Sequence, residues 1–592
     1  MKGKKVLLYV SLALILFGSL FASIIQTNFC SVTIKDIRIS AEDGSQVSAL
    51  LYIPNGVDAD NKAPGVITCE GYLNSREMQT CFSVEYARRG YVVLAIDMYG
   101  HGRSSTEVTD FQAMVPAIAY MQALNFVDSE NIGLEGHSKG GLAATLGALP
   151  TPGSVKSILA VGSGLCWPAL YGVTMDVSTP INYGTIFGKY DEFGWLFWPE
   201  EQTEHKDVSA YAAYSSFMKA VWGEEGDSVK PFEWYGEKAD NTLRILYQPA
   251  ETHPFNHVSA ASTGYAMNFM NNTLEGGNKA GLADNNQIWY WKEICTGIGM
   301  VGFLLFLFAF GAFIIDSGKN TEYLATLPEA KAKLSPRFGI LLVIGAAIPA
   351  LTYKAFMQFG SRTLLPLSRV FPQEMASQTA TWALLNGLIA LALFLILYFV
   401  FGKKEGDSIA DWGIKVKFSK VWRHILWGLE VALVAYALLY AVDFFFKVDF
   451  RFWLVGFMPL TLPKFQALCA YFLFFAVYTF INSLVLNATY RFAKGSCHKT
   501  ALLSVLANIG GMLVLLLIGY GTLIIGGSFP FASTDWSLLF IVAIPFLLTL
   551  SVAALINTYF FKKTGAVYMG SMLSALFLTF AVVGNTCFQF LF

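Results

Sequence analysis

The chain has 592 residues, 54% of them hydrophobic and 14% charged, and its 41 Lys and Arg against 42 Asp and Glu give a formal net charge of −1. A soluble globular chain carries roughly 25% charged residues, so this composition, with a mean hydropathy of +0.49, excludes a disordered protein, a coiled coil and a purely cytosolic enzyme. A balance so near zero also argues against nucleic-acid binding.

The neutrality hides two opposite parts. Residues 28–296 hold 17 basic and 31 acidic side chains, a net of −14, whereas the rest of the chain holds 24 basic and 11 acidic, a net of +13. This predicts an N-terminal anchor over 1–27, an acidic soluble domain over 28–296 and a basic, apolar membrane body over 297–592. The anchor is read from MKGKK followed by the apolar run Val6–Ile25. A cleavable signal has an apolar core of roughly 7–15 residues and a small-residue cleavage site. Here the run is long enough to cross a ~30 Å hydrocarbon layer and the site is poor. An uncleaved signal anchor is expected, with a cleaved signal as the alternative.

In the acidic domain, apolar runs predict strands at Val32–Ser40, Ser48–Tyr52, Gly65–Cys69, Tyr91–Asp97, Ile132–Glu135, Ser157–Gly162, Ile181–Phe187 and Thr242–Tyr247. Amphipathic stretches such as Arg76–Arg89, Phe111–Leu124 and Gly140–Leu149 intervene. A hairpin followed by strand–helix alternation implies an α/β domain with a mostly parallel sheet. Ligands in such sheets sit beyond the carboxyl ends of the strands. The text after the fifth strand, ENIGLEGHSKGGLAA, places Gly136, His137, Ser138, Lys139 and Gly140 in a G-x-S-x-G pattern between a strand and a small-residue helix. A turn that tight needs Gly two positions either side of Ser138, and it would present the hydroxyl at a helix N-terminus, where backbone N–H groups favour an oxyanion.

With this elbow the domain resembles the α/β-hydrolase superfamily over residues 34–274, as esterases, lipases and dienelactone hydrolases do. YVVLAIDMYGHGRS (91–104) is similar to that family's D-x-x-G-H-G-x-S strand ending, and GVITCEGYLNSRE (65–77) stands where the family has its oxyanion strand. Glu70-Gly71 replaces the family's His-Gly there. The resemblance implies oxyanion donors at the backbone N–H groups of Tyr72 and Lys139, which a changed side chain at Glu70 need not abolish.

The family's order of Ser, acid, then His narrows seven histidines to few. His101 and His137 precede Ser138, His424 and His498 flank apolar runs, and His205 reads as a surface residue of an acidic stretch. His253 and His257 follow the last strand. His253 better matches the family's spacing to a helix expected near Ser259, with His257 the alternative base. Gly188-Lys189-Tyr190-Asp191 is similar to the family's G-x-x-D, so Asp191 is expected to orient the imidazole, with Glu192 as its neighbouring alternative. Together these residues imply acyl-enzyme chemistry.

The eight Cys include no C-x-x-C, and neither a metal nor a cofactor is expected. Cys69 and Cys81 either pair in an oxidising compartment or remain two thiols. Residues 163–180 occupy the family's lid position and carry Trp167, Leu170, Tyr171 and Met175, which suits an apolar acyl or aromatic group.

Eight further apolar runs follow, near 297–315, 338–356, 382–401, 425–446, 465–488, 502–525, 536–558 and 568–591. With a cytoplasmic N-terminus, inside segments hold 18 basic residues and the short outside loops hold six. Lys and Arg concentrate in cytoplasmic loops, so nine spans are expected, with the acidic domain outside the cytoplasm. Glu430 and Asp443 fall within one run, where carboxylates are costly; snorkelling or an interhelical hydrogen bond would account for them. A membrane-bound serine hydrolase of ester, lipid or other acyl substrates is the leading expectation, with a peptide substrate as an alternative. A transporter or lipid-handling protein with a cargo-processing domain, or an inactive binding module, stands behind it.

Overall fold

The structure, a computed structural model, describes residues 2–106, 109–150, 153–164, 172, 175–194, 230–318, 320–492, 497–527, 529–531 and 534–589. An apolar helix, α1 (Lys2–Gln26), leads into a sheet domain. Among the described residues its nine strands are β1 (Val32–Ser40), β2 (Gln46–Pro54), β3 (Ala63–Cys69), β4 (Val92–Ile96), β5 (Val127–His137), β6 (Ser157–Val161), β7 (Asn182–Ile186), β8 (Trp234–Tyr235) and β9 (Arg244–Tyr247). They lie in the order β1-β2-β4-β3-β5-β6-β7-β9-β8. The β1–β2 hairpin joins β4 antiparallel, and β4, β3, β5, β6, β7 and β9 run parallel. β3, β4 and β6 are buried along their whole length. Parallel strands are covered on both faces, so their sequences are continuously apolar rather than alternating.

Helices α2 (Thr80–Arg88), α3 (Met114–Ala123), α4 (Lys139–Ala148) and α5 (Ala260–Thr273) supply that cover. Met114, Ile118, Met121 and Ala144 pack against Leu94 and Leu134 on one face. On the other, Phe82, Tyr86, Phe269 and Met270 pack against Val66 and Val93. All eight expected strands are present. The unforeseen β8 is a two-residue edge pairing antiparallel with β9, too short to register as a periodic run. Cys69 closes β3 and Cys81 sits in α2, and they form no disulfide.

The remaining chain is helical: α6 (Trp289–Ile315), α7 (Pro336–Leu351), α8 (Tyr353–Phe359), α9 (Glu374–Leu397), α10 (Phe418–Phe446), α11 (Leu462–Thr489), α12 (Cys497–Gly526), α13 (Thr534–Thr564) and α14 (Tyr568–Gly584). A small hairpin, β10 (Phe450–Phe452) and β11 (Val455–Phe457), separates α10 from α11. Among the described residues seven helices are long and apolar enough to cross a membrane: α1, α6 and α9 to α13. Two of the nine expected spans take another form. Pro336–Leu351 and Tyr353–Leu364 make a pair bent by 47°. Pro349 stands just before the bend and lacks the N–H that a straight helix needs. α14 has 17 residues, about 25 Å at ~1.5 Å per residue, less than the hydrocarbon thickness. Along α1 and α6 the backbones approach closely: a Cβ on Gly18 would lie 2.5 Å from the Cys295 carbonyl oxygen, and one on Gly302 would lie 2.8 Å from the Ile15 nitrogen.

The loops fall into two sets. Toward the sheet domain, Phe588 N–H donates to the Gly100 carbonyl at 2.9 Å and Gln589 N–H to Pro372 at 2.9 Å, while Trp453 Nε1 donates to the Pro254 carbonyl at 2.7 Å. At the opposite end Ala325 N–H meets the Thr564 carbonyl at 2.9 Å, Ala332 N–H meets Arg491 at 3.1 Å, and Lys331 pairs with Asp411 at 2.7 Å.

Candidate active site

β5 ends at His137 and α4 begins at Lys139, which leaves Ser138 to make the turn at φ 52°, ψ −115°. This is a strained conformation for a residue with a side chain, and it throws the hydroxyl outward. A Cβ on Gly136 would lie 2.2 Å from the Gly140 carbonyl oxygen, and one on Gly140 would lie 2.4 Å from that of Cys69. Both glycines are therefore required by contact. Ser138 N–H donates to the Val161 carbonyl at 2.7 Å, which ties the turn to β6.

Asp191 and His253 arrive on the loops after β7 and β9. His253 Nδ1 lies 2.8 Å from Asp191 Oδ2, while Asp191 Oδ1 accepts from the Phe193 N–H at 2.8 Å. Burial alone would lower the His253 pKa, but the Asp191 carboxylate and its hydrogen bond outweigh it, and the net direction is upward. The geometry thus sets His253, not His257, against the acid. His257 rests its ring 3.8 Å from that of His137. Burial first, then the neighbouring His253 and Arg451, push its pKa down to about 3. His137 is likewise held well below the ordinary histidine value by burial and by both neighbouring imidazoles, and its Nε2 lies 3.1 Å from the His253 carbonyl oxygen.

Glu192 links the site to the membrane helices. Its Oε2 accepts from the His253 N–H at 2.8 Å and its Oε1 from the Tyr520 hydroxyl on α12 at 2.7 Å. Its carbonyl accepts from Ser537 Oγ on α13 at 2.6 Å. Burial, and then the like charge of Asp191, raise its pKa to about 7. Tyr520 and Ser537 were not foreseen, because nothing local in an apolar run marks a hydroxyl that reaches another domain.

Tyr72 follows β3 and faces Lys139, whose Nζ lies 5.0 Å from the Tyr72 ring centre. Gln589 Nε2 donates to the Tyr72 hydroxyl at 2.6 Å. Glu70 does not line the cavity. Its Oε1 accepts the Met98 N–H at 2.7 Å, and burial together with Asp97 holds its pKa well above the carboxylate range. The residue in place of the family's His therefore fastens the loop after β4. Asp97 orders that same loop by accepting from the Arg76 and Arg103 N–H groups at 2.8 and 3.0 Å.

Asp443 pairs with Arg103 of the sheet domain, so the costly carboxylate in α10 serves the contact between the two bodies. Glu430 sits on an exposed face of α10. On the hairpin, Arg451 pairs with Asp449 at 2.8 Å and reaches Ser75 Oγ at 3.3 Å.

Ser138, His253, Tyr72 and Lys139 line one cavity of about 570 Å³, whose other walls include Met375, Leu538 and Val582 of the helical body. Met175 is buried in the core cluster on one face of the sheet instead, while Trp167, Leu170, Tyr171 and His205 lie outside the described residues. Among the described residues no group of three or more His, Cys, Asp or Glu is placed to hold a metal ion.

Residues 64–194 match the family model for the alpha/beta hydrolase fold. Together with the sheet order, this gives the fold expected from the sequence: an α/β-hydrolase domain beside a large helical body with several long apolar helices. No curated protein matches the chain. Among solved structures, it is similar to ferulic-acid-bound Est1E from Butyrivibrio proteoclasticus, at 18% identity over 37% of this chain and 90% of that one, with a TM-score of 0.26. It is also similar to dienelactone hydrolase from Anabaena variabilis, at 16% identity over 41% of this chain and 100% of that one, with a TM-score of 0.28. A further match, DcsB in complex with its substrate analogue, has 21% identity and a TM-score of 0.20, over 22% of this chain and 46% of that one. The chain spans less than half of that protein.

Proposed function

We propose that this chain is a membrane-embedded serine hydrolase that cleaves an ester, lipid or other acyl substrate through an acyl-enzyme, with its catalytic domain on the extracytoplasmic side. The observation that carries this reading is the strained Ser138 turn opening on a cavity that His253 also lines, with Asp191 bonded behind that imidazole. Ser138 Oγ attacks the carbonyl and His253 Nε2 takes its proton. Asp191 fixes the imidazole's orientation and stabilises its cation without accepting the proton. The Tyr72 and Lys139 backbone N–H groups receive the oxyanion, and water then resolves the acyl-enzyme.

The domain limits follow the same reading: an anchor over 1–27, the hydrolase over 28–296 and the membrane domain over 297–592. The close fit of α1 to α6 at Gly18 and Gly302 supports an anchor that stays in the protein. The 18 basic residues of the N-terminal tail and of the loops around Lys331, Lys417, Lys494 and Lys562 support a cytoplasmic placement for those segments. Protease added to intact cells should then cut within 28–290, and full protection would reverse the orientation.

A fluorophosphonate probe tests the chemistry. The full chain should label, and Ser138→Ala should abolish labelling. A folded wild-type chain that does not label would refute the reading.

A further inference from the structure

The cavity in front of Ser138 continues past the sheet domain. Its far wall on α13 is formed by Leu538, Ile541, Val542, Pro545, Phe546 and Thr549. Steps of three and four residues put these side chains along one face of a helix. From residue 538 to residue 549 the axis covers about 16 Å at ~1.5 Å per residue, roughly half of a ~30 Å hydrocarbon layer. α13 starts at the hydrolase domain, where Ser537 bonds the Glu192 carbonyl, so the shaft descends from the site into the bundle.

Polarity is segregated along that path. Ser138, Lys139, His253 and Arg451 lie at the mouth, while the α13 wall below it offers apolar side chains and a single hydroxyl, that of Thr549. Phe546 is backed by Trp382, stacked at 5.3 Å between ring centres, and Trp382 is held by a bond from its Nε1 to the Pro349 carbonyl at 2.9 Å. Pro545 stands inside α13 and cannot donate to the carbonyl four residues earlier, which loosens the helix where it borders the shaft. A reactive polar mouth on an apolar shaft one leaflet deep matches a molecule with one acyl carbonyl and one long hydrocarbon chain.

We propose that the substrate is a long-chain acyl ester whose tail lies inside the membrane domain along α13 while its carbonyl meets Ser138. This rests on the serine-hydrolase reading above. Ser138 Oγ bonds to the acyl carbon as its proton passes to His253 Nε2. The ester C–O bond breaks and the alcohol leaves with that proton. Water then adds its oxygen to the acyl carbon, gives a proton to the same imidazole, and the fatty acid departs as Ser138 regains its hydrogen. A tail moving from a bilayer into this shaft exchanges one apolar setting for another, so selection comes from fit and depth rather than from escape out of water.

The test uses the full chain in lipid nanodiscs with p-nitrophenyl esters from acetyl to palmitoyl. kcat/KM should rise with chain length and peak among the long chains. Val542→Trp narrows the shaft and should lower the ratio of palmitoyl to butyryl turnover about tenfold or more, a discrimination within reach of one pocket contact. Phe546→Ala should move the optimum to longer chains. A preference for acetyl or butyryl esters, or a ratio unmoved by either substitution, would overturn the proposal, as would turnover of peptide anilides in place of esters. Should the variants not fold, Ser138→Ala protein with a palmitoyl ester carrying a mid-chain diazirine gives a second readout. Adducts on Val542 to Thr549 are expected, and adducts confined to outward-facing residues such as Leu517 and Ile525, both exposed, would refute a tail site. If no ester turns over yet α13 is labelled, the catalytic reading fails and the tail site stands.

Discussion

His253 and His257 lie four positions apart in one short segment, both buried, and their surroundings separate them. One faces a carboxylate and is held up, while the other faces imidazoles and an arginine and is held down. A general base must be neutral to accept a proton, so the raised His253 value places the acid limb of kcat/KM above the ordinary histidine value of ~6.5. Below that limb the imidazolium is inactive. The Glu192 carboxylate contributes to the elevation, so Glu192→Gln should shift the limb to lower pH, and an unmoved limb would remove Glu192 from the site's electrostatics. His253→Ala should cut kcat roughly 100- to 10,000-fold and His257→Ala far less; the reverse order would exchange their roles. Order along the chain set aside the histidines that precede Ser138, but His253 and His257 both follow the last strand and order alone left them as alternatives. The partner of Glu192 could not be read that way, because Tyr520 is 328 residues distant.

At the scale of elements, strands and elbow were legible because their causes are local. Strands buried on both faces must be continuously apolar, and the elbow needs glycine where Gly136 and Gly140 would otherwise strike the backbone. The forms of two apolar helices were less so. A run of apolar residues reports that a segment avoids water, but not that Pro349 precedes a 47° bend or that α14 stops at 17 residues. The role of α12 and α13 in holding Glu192 was illegible for the same reason. Tyr520→Phe removes one of the bonds that fix Glu192, and we expect kcat to fall several-fold with KM for a short ester little changed. An equal change in both would point to a general loss of packing instead.

Across the whole molecule, the two bodies are joined by charge as well as by the shared cavity. Arg103 of the hydrolase domain meets Asp443 of α10, and both side chains are largely covered, at 12% and 18% exposure. Removing Arg103 leaves Asp443 without its paired cation, at a cost of about 2 kcal/mol, whereas Arg103 without Asp443 keeps Asp36 at 3.3 Å. Thermal unfolding of Arg103→Ala, Asp443→Ala and the double variant should therefore be non-additive, and strictly additive losses would show the pair to be independent. The bond between Tyr72 and Gln589 spans 517 residues of chain, and the α13 wall comes some 400 residues after the Ser138 turn with which it shares the cavity. Contacts so distant in sequence form late in folding. During synthesis the sheet can close around Ser138 while the α13 wall does not yet exist, so the chain passes through a stage with the Ser138 turn formed and its cavity open. Insertion of α13 and α14 therefore completes the cavity, and the helical wall in front of Ser138 is the last part of it to be made.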